Sequence, residues 1–454
     1  MNEVKVAKGC APLGGVVQIG DGRVASAVLC FPGHFEYVRF VGDPVVTGLG
    51  CVTPIGIGRA DFSEGLRSGR SGTRAVASLD AASYACRVAA EVPSFVASDF
   101  MRAREARTSP RVVQFAVAAA RLAMADAGLG SWRDPSRVGV IMGSSVGPSA
   151  YNFDQFATFL ERGIRRVPPD FPAQAHYGVI PSECAIQLAV HGPVMGISSA
   201  CTSSADAIGL GAAMVRSGVV DAMVVGGAEA PICPMLFAAF DRLHLMSSRF
   251  NDLAHTASRP FAADRDGFVL GEGAGVLILE DLSHAVSRGA RPIAHVAGYG
   301  ATCDAKSHFS HDPEGSDALG AISAALSAAG LQAHELDYIN AHGSATVQND
   351  SFETRVFRQL LGARASSVPV SSSKSMLGHL LGASGAVELI ATLVGMESGF
   401  LPPTINLNVA DPECNLDYVA NCSRTADTSA ALSTNFGFGA RNSALVVTRW
   451  VDDG

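Results

Sequence analysis

The sequence predicts an α/β fold, and three observations carry the prediction. Short apolar runs suited to buried strands alternate with longer segments suited to helices. Glycine and serine punctuate the ends of those runs, with 48 glycines in 454 residues. Charged residues make up 17% of the chain against 48% hydrophobic ones, the balance of a densely packed enzyme rather than a disordered or fibrous protein. The length is roughly two to three times that of a common single domain, so at least two packed lobes are expected.

Taken in order, residues 1–43 show a turn at Gly14 and Gly15, short apolar pieces such as Ala25 to Phe31 and no period; they are read as an N-terminal extension of uncertain order. From Val45 an apolar strand runs to Gly48 and Gly50 and enters a turn. Ser109 and Pro110 cap and start a helix that ends near Gly128, and a strand follows from Arg137 into Gly143 and Ser144. Further strands are expected at Asp221 to Gly227, Gly275 to Glu280, Leu336 to Gly343 and Ser367 to Ser373. Helices are expected at Ser204 to Ser217, Ser316 to Ala329 and Ala386 to Glu397. Strands this apolar need helices on both faces. No short repeat or low-complexity linker separates modules.

Composition excludes several function classes. The net charge of −8 comes from scattered acidic residues, and no Lys/Arg stripe exists to follow a phosphate backbone, which argues against nucleic acid. Ten cysteines without a CxxC pair predict neither a zinc site nor a disulfide framework and point to a reducing, cytoplasmic setting. No run approaches the roughly 20 apolar residues that span a bilayer. Asp264, Asp266 and Glu272 are close in sequence, but their glycine-rich surroundings read as a structural turn, so no metal is expected. Neither a GxxxxGK[ST] loop nor a GxGxxG turn in strand–helix context is present, so no cofactor is expected either.

Three segments hold residues that can do chemistry. Cys201 ends a small-residue apolar segment and precedes a run that starts a helix, where the partial positive charge of a helix N-terminus favours thiolate. It reads either as a nucleophile or as a small buried filler. His342 follows an apolar run and precedes Gly343, placing its imidazole at the carboxyl end of a strand, the edge where sites gather in open α/β folds. Lys374 and His379 stand five apart in a Gly/Ser-rich stretch that admits close approach. Each histidine alone is more often structural. Together, one thiol and two neutral imidazoles suit thioester chemistry: the thiol accepts an acyl group and the imidazoles donate to a carbonyl oxygen that becomes negative.

The segments SACTSS, NAHGSATVQND and KSMLGHLLGASGAVE, with RPFAADRDGFVLGEGAGVLILE and the C-terminal NFGFGARNSALVV, resemble the signature blocks of β-ketoacyl-acyl carrier protein synthases of the elongating kind. The resemblance runs from Val45 to the C-terminal block. It implies a thiolase-like fold of two similar α/β halves in a layered αβαβα arrangement, residues 44–295 carrying the nucleophile and 296–454 carrying both histidines. It implies that Cys201 is acylated, that His342 and His379 bind the malonyl thioester carbonyl and promote decarboxylation, and that Lys374 pairs with Glu353 behind them. The backbone N–H groups of Cys201 and Phe438 would form the oxyanion hole, with Phe438 as the gate to the thiol. The partners implied are acyl- and malonyl-loaded acyl carrier protein and a second subunit, in a homodimer or a heterodimer with a related ketosynthase.

The chain departs from the family pattern at three places. HGT becomes His342-Gly343-Ser344, FGFGG becomes Phe436 to Ala440 followed by Arg441, and a GSGIGG-like loop becomes Gly143 to Ser149. The last change makes Val146 and Ser145 candidate acyl-pocket residues. These departures, with the N-terminal extension and the stretch Pro168 to Glu183, lean toward a specialised pathway within fatty acid or polyketide synthesis. Arg162, Arg165 and Arg166 read either as part of a carrier-docking patch or as a solvated face. Rival readings are a related thioester acyltransferase and a cavity-shaping partner subunit without catalysis. The presence of Cys201 and both histidines opposes the second.

Overall fold

The computed structural model describes residues 42–452, together with the backbone of a three-stranded antiparallel sheet formed by Val16–Gln18, Val24–Phe31 and His34–Arg39. The expected turn at Gly14 and Gly15 lies outside the described residues.

Ten strands form the body. The first five are β1 (Pro44–Thr53), β2 (Val138–Gly143), β3 (Val194–Ile197), β4 (Ala222–Glu229) and β5 (Gly273–Asp281). The second five are β6 (Ala294–Cys303), β7 (Tyr338–Asn340), β8 (Pro369–Ser371), β9 (Ala430–Gly437) and β10 (Arg441–Arg449). Apart from the two-residue strand Asp417–Tyr418, which pairs with β8 at the far edge of the second set, each set reads from outside inward in the same order: third, second, fourth, fifth, first. In each, the second strand is parallel to the third and fourth, and the fifth is antiparallel to both its neighbours. The chain is therefore an internal duplication, which no sequence period reveals. The sets meet where β6 pairs with β1 over Ala294–Val46 and His295–Val45. The expected boundary at 295/296 falls inside β6, because the polar connection that divides the sets ends before Ala294.

Helices α1 (Arg111–Asp126) and α2 (Val179–Leu188) cover the outer face of the first set, and α4 (Ser316–Ala329) and α5 (Val347–Leu361) cover that of the second. Between the sets lie α3 (Ser203–Arg216) and α6 (Ser384–Ser398), in a core shared by Leu49, Ile208, Val225, Leu389 and Leu445. This is a five-layered αβαβα arrangement of the thiolase type. α6 is apolar almost all round because sheet lies on both sides of it.

Two expectations change in detail. β1 runs through Gly48 and Gly50 instead of ending there, since α1 lies so close that a Cβ would meet the Ala123 and Ala119 carbonyl oxygens at 2.3 and 2.0 Å. Gly298 and Gly300 on β6 repeat the device against Ala325 and Ala321 of α4, at 1.9 and 2.1 Å. The Ser109 cap is not formed: Pro110 occupies the N-cap of α1 without a side-chain bond. Among the described residues no helix is long and apolar enough to cross a membrane.

Candidate active site

The loops that leave the carboxyl ends of β2, β3, β7 and β8 converge on one cavity of about 390 Å³. Cys201, His342, His379 and Phe438 all line it, with Ser145.

Cys201 sits between β3 and α3. The turn that delivers it puts Ala200, a residue with a Cβ, at φ 59°, a left-handed conformation that costs energy and persists only where its surroundings enforce it. The thiol is buried, and desolvation pushes its pKa up to about 12; Lys374 and the Phe438 N–H pull down, Glu229 pushes up. Here burial outweighs the helix N-terminus, so the resting group is a thiol rather than the thiolate the sequence suggested. Phe438 follows the end of β9, and a Cβ on the preceding Gly437 would stand 3.1 Å from the Cys201 nitrogen, so glycine lets the two backbones meet. The Phe438 ring meets Phe309 edge-on at 5.5 Å.

His342 leaves β7 after Asn340. Its own N–H donates to Glu353 Oε1 at 2.6 Å, and the Gly343 N–H donates to Glu353 Oε2 at 2.7 Å. Lys374 Nζ donates to the His342 carbonyl at 2.6 Å and lies 3.4 Å from His342 Nδ1. An ammonium can only donate, so Nδ1 accepts and the neutral ring carries its proton on Nε2. In His379, Nδ1 accepts from the Leu381 N–H at 3.2 Å, which places that ring's proton on Nε2 as well. The two rings stand 5.2 Å apart at 84°. Desolvation, reinforced by the Lys374 charge, holds both well below the usual histidine range, so both are neutral at pH 7.

The expected Lys374–Glu353 pair is not the one formed. Lys374 pairs with Glu388 of α6, and both side chains are almost fully buried. Glu353 is already committed to two backbone N–H groups and accepts from Thr434 Oγ1 at 3.1 Å besides, so Glu388 neutralises the lysine. Glu353 still holds the His342 loop. Val146 packs in the cluster around Cys201, yet only its neighbour Ser145 lines the cavity. Arg441 reaches away from the gate to the Ser198 carbonyl at 3.3 Å, and Arg162, Arg165 and Arg166 are solvent-exposed. Asp264 pairs with Arg259, Asp266 accepts from Ser247, and Glu272 takes Arg111, so the three carboxylates do not converge.

Sequence reasoning missed two buried carboxylates. Glu388 was visible as the one charge in the apolar run from Ala386 to Met396 of α6. Glu229, at the end of β4, accepts from Ser144 Oγ (2.7 Å) and from the N–H groups of Ser145 (2.6 Å), Val146 (3.2 Å) and Gly382 (2.9 Å), and so ties the Cys201 side of the cavity to the His379 side. A charged residue ending the apolar strand segment Ala222 to Ala228 was its only signal. Phe309, Phe352 and His311 also line the cavity, with His311 stacked on Phe352 at 5.0 Å; nothing in the local sequence marks them.

Comparison with known proteins bears on this arrangement. Residues 43–285 match the family description of the β-ketoacyl synthase N-terminal domain and residues 293–408 that of the C-terminal domain. The chain is 42% identical over 407 residues to a 3-oxoacyl-[acyl-carrier-protein] synthase 2 of Synechocystis, covering 89% of this chain and 98% of the relative. It is 42% identical over 412 residues to the tetracenomycin polyketide synthase ketoacyl synthase alpha subunit of Streptomyces glaucescens, covering 89% and 96%. Its fold superposes with a TM-score of 0.83, at 31% identity, on a type II polyketide synthase ketosynthase solved in complex with its acyl-carrier protein, covering 90% of this chain and all of that one.

Proposed function

The chain belongs to the β-ketoacyl synthase family, and we propose that its condensing chemistry is carried by Cys201, His342 and His379. It is an acyltransferase that performs decarboxylative condensation of an acyl thioester with malonyl-carrier protein, in polyketide or fatty acid synthesis.

One observation supports the residue assignment above the others: two neutral imidazoles, their Nδ1 atoms occupied by donors, share one cavity with a thiol that lies beside a backbone N–H. In the first half-reaction the Cys201 sulfur attacks the donor carbonyl. The oxyanion accepts from the Cys201 and Phe438 N–H groups, and collapse expels the carrier sulfur, which leaves with the proton the thiol gave up. In the second, the malonyl thioester oxygen accepts from the Nε2–H groups of His342 and His379. The bond to the carboxylate breaks, carbon dioxide leaves, and the electron pair stays on the carbon as an enolate that these two donors stabilise. That carbon attacks the Cys201 acyl carbonyl, the carbon–sulfur bond breaks, and the departing thiolate takes a proton from solvent to restore the thiol. Lys374 and Glu353 are positioning residues, since both hold His342.

The first half supplies the nucleophile and the second the histidines, with the division between Asp281 and Ala294. The partners follow from the family: an acyl carrier protein brings both substrates, and a second ketosynthase subunit completes the assembly. β3 is the outer edge of the sheet and exposes Val194 and Met195, as an edge that a second subunit extends would. We place the protein in the cytoplasm, because the described cysteines are all free thiols.

Intact-mass measurement of the protein with a panel of acyl-carrier proteins, beside Cys201→Ala, tests this reading. An adduct that needs Cys201 and converts to β-ketoacyl product on addition of malonyl-carrier protein is expected. A wild type that no donor acylates, alone or with a partner subunit, would overturn it.

A further inference from the structure

The cavity carries one feature that the condensation cycle leaves unused. Its mouth has two walls: the loop after β6, through Phe309, Ser310 and Pro313, and a face of α5 on which Gln348, Phe352 and Arg355 recur at helical spacing. Thr346 caps α5 four residues after His342. From there to Arg355 the helix rises about 13 Å at 1.5 Å per residue, and Arg355, unlike the buried Cys201, His342 and His379, is an exposed lining residue, on the solvent side of the cavity.

Among the described residues Arg355 is the only Lys or Arg that lines the cavity, and no Asp or Glu lines it. Arg355 is exposed, and no carboxylate among the described residues pairs with it. Arg358, one turn further on, lines a separate depression beside Gly362 and Asn415. A single free guanidinium at the entrance of a cavity without anions selects a ligand whose negative charge lies far from its reacting end. A carboxylate on the reacting acyl group is at the wrong end. The thioester donors of this reaction carry a phosphate at the other end of the arm from the sulfur, and guanidinium is the side chain best shaped to take phosphate.

We propose that Arg355 binds the phosphate of the phosphopantetheine arm of the incoming thioester, carried either by a protein or by coenzyme A. The inference rests on the condensing activity proposed above and adds a recognition residue to it. The test measures the rate of Cys201 acylation against donor concentration for four donors with one acyl group: acyl-carrier protein, acyl-coenzyme A, acyl-phosphopantetheine and acyl-pantetheine without phosphate. The proteins compared are wild type, Arg355→Ala, Arg355→Lys and Arg358→Ala.

Arg355→Ala is expected to raise the half-saturating concentration of acyl-phosphopantetheine by about tenfold at unchanged maximal rate, and to leave acyl-pantetheine as in wild type. Arg355→Lys should recover part of the loss, and Arg358→Ala should match wild type. A matching loss with the carrier or with coenzyme A identifies which source presents the phosphate. Loss confined to the carrier, with phosphopantetheine unaffected, would mean that Arg355 touches the carrier's surface and would overturn the proposal. Equal loss with acyl-pantetheine, or no loss at all, overturns it as well. A wild type that no donor acylates defeats the condensing reading itself, an outcome distinct from a wild type that acylates as fast as Arg355→Ala.

Discussion

The two halves place one device at the same point in the fold and hang different side chains on it. In the first, the loop after β2 is held by Glu229, which accepts the N–H groups of Ser145 and Val146. In the second, the loop after β7 is held by Glu353, which accepts those of His342 and Gly343. Both carboxyls are buried, and desolvation raises each to about 7. After the third strand of each set the chains diverge. The first half turns through Ala200 and puts Cys201 directly ahead of α3; the second makes one short helix, Lys374–Leu377, and puts His379 ahead of α6. Duplication thus supplies four anchored loop positions at one end of the molecule. Which chemistry each position performs depends on the residue it presents.

The largest expected effect separates the halves outright. Cys201→Ala should form no acyl adduct while still releasing carbon dioxide from malonyl-carrier protein, because decarboxylation draws on the second half; an adduct on this variant would break the comparison. Next comes the ion pair behind the histidines. Lys374→Met leaves Glu388 buried and unpaired, and should cost about 3–5 kcal/mol in urea unfolding, most of it recovered by adding Glu388→Leu. Equal stability of the single variant and wild type would show that the pair carries no such load. His342→Ala or His379→Ala removes one donor to the developing enolate oxygen and should slow carbon dioxide release by about 10²–10³-fold. Acylation of Cys201, followed by mass, should change far less.

The smallest effect sharpens the parallel between the two carboxyls. Each ionises near 4.5 when unfolded and near 7 when folded, so the folded state binds more protons between those values and stability falls as pH rises from about 4.5 to 7. Glu229→Gln and Glu353→Gln remove one titration each. Relative to wild type, each variant should gain up to about 3 kcal/mol between pH 5 and pH 8, on top of a constant loss from weakened hydrogen bonds. A gain in one half alone would show that the two loops are not held alike.

Much of this was readable along the chain. α4 spans the expected Ser316–Ala329, and α3 starts one residue before its expected start. β7 is shorter than Leu336 to Gly343: it ends at Asn340, Ala341 stays in the core with its N–H on the Ser371 carbonyl, and His342 turns out to line the cavity. Cys201, His342 and His379 were legible through their small-residue surroundings, since a reacting side chain needs room for a ligand beside its backbone. The partner of Lys374 was not. Glu353 and Glu388 lie 21 and 14 residues from it, and separation along the chain carries no information about which of the two is free of other donors.

By itself the sequence determined the run of strands and helices and the residues able to do chemistry, because both depend on interactions within a few residues of one another: periodicity, caps and glycine turns. The tertiary structure alone decided the pairing of strands into two equal sets, the protonated nitrogen of each histidine, the high pKa of the thiol and the position of Arg355 at the cavity mouth. Each of these is set by groups brought together across the chain, such as Leu277 facing Leu49, Glu229 facing Ser145 or the Phe438 N–H facing Cys201. Packing geometry and desolvation act on distance in space, and that distance exists only once the layers have closed.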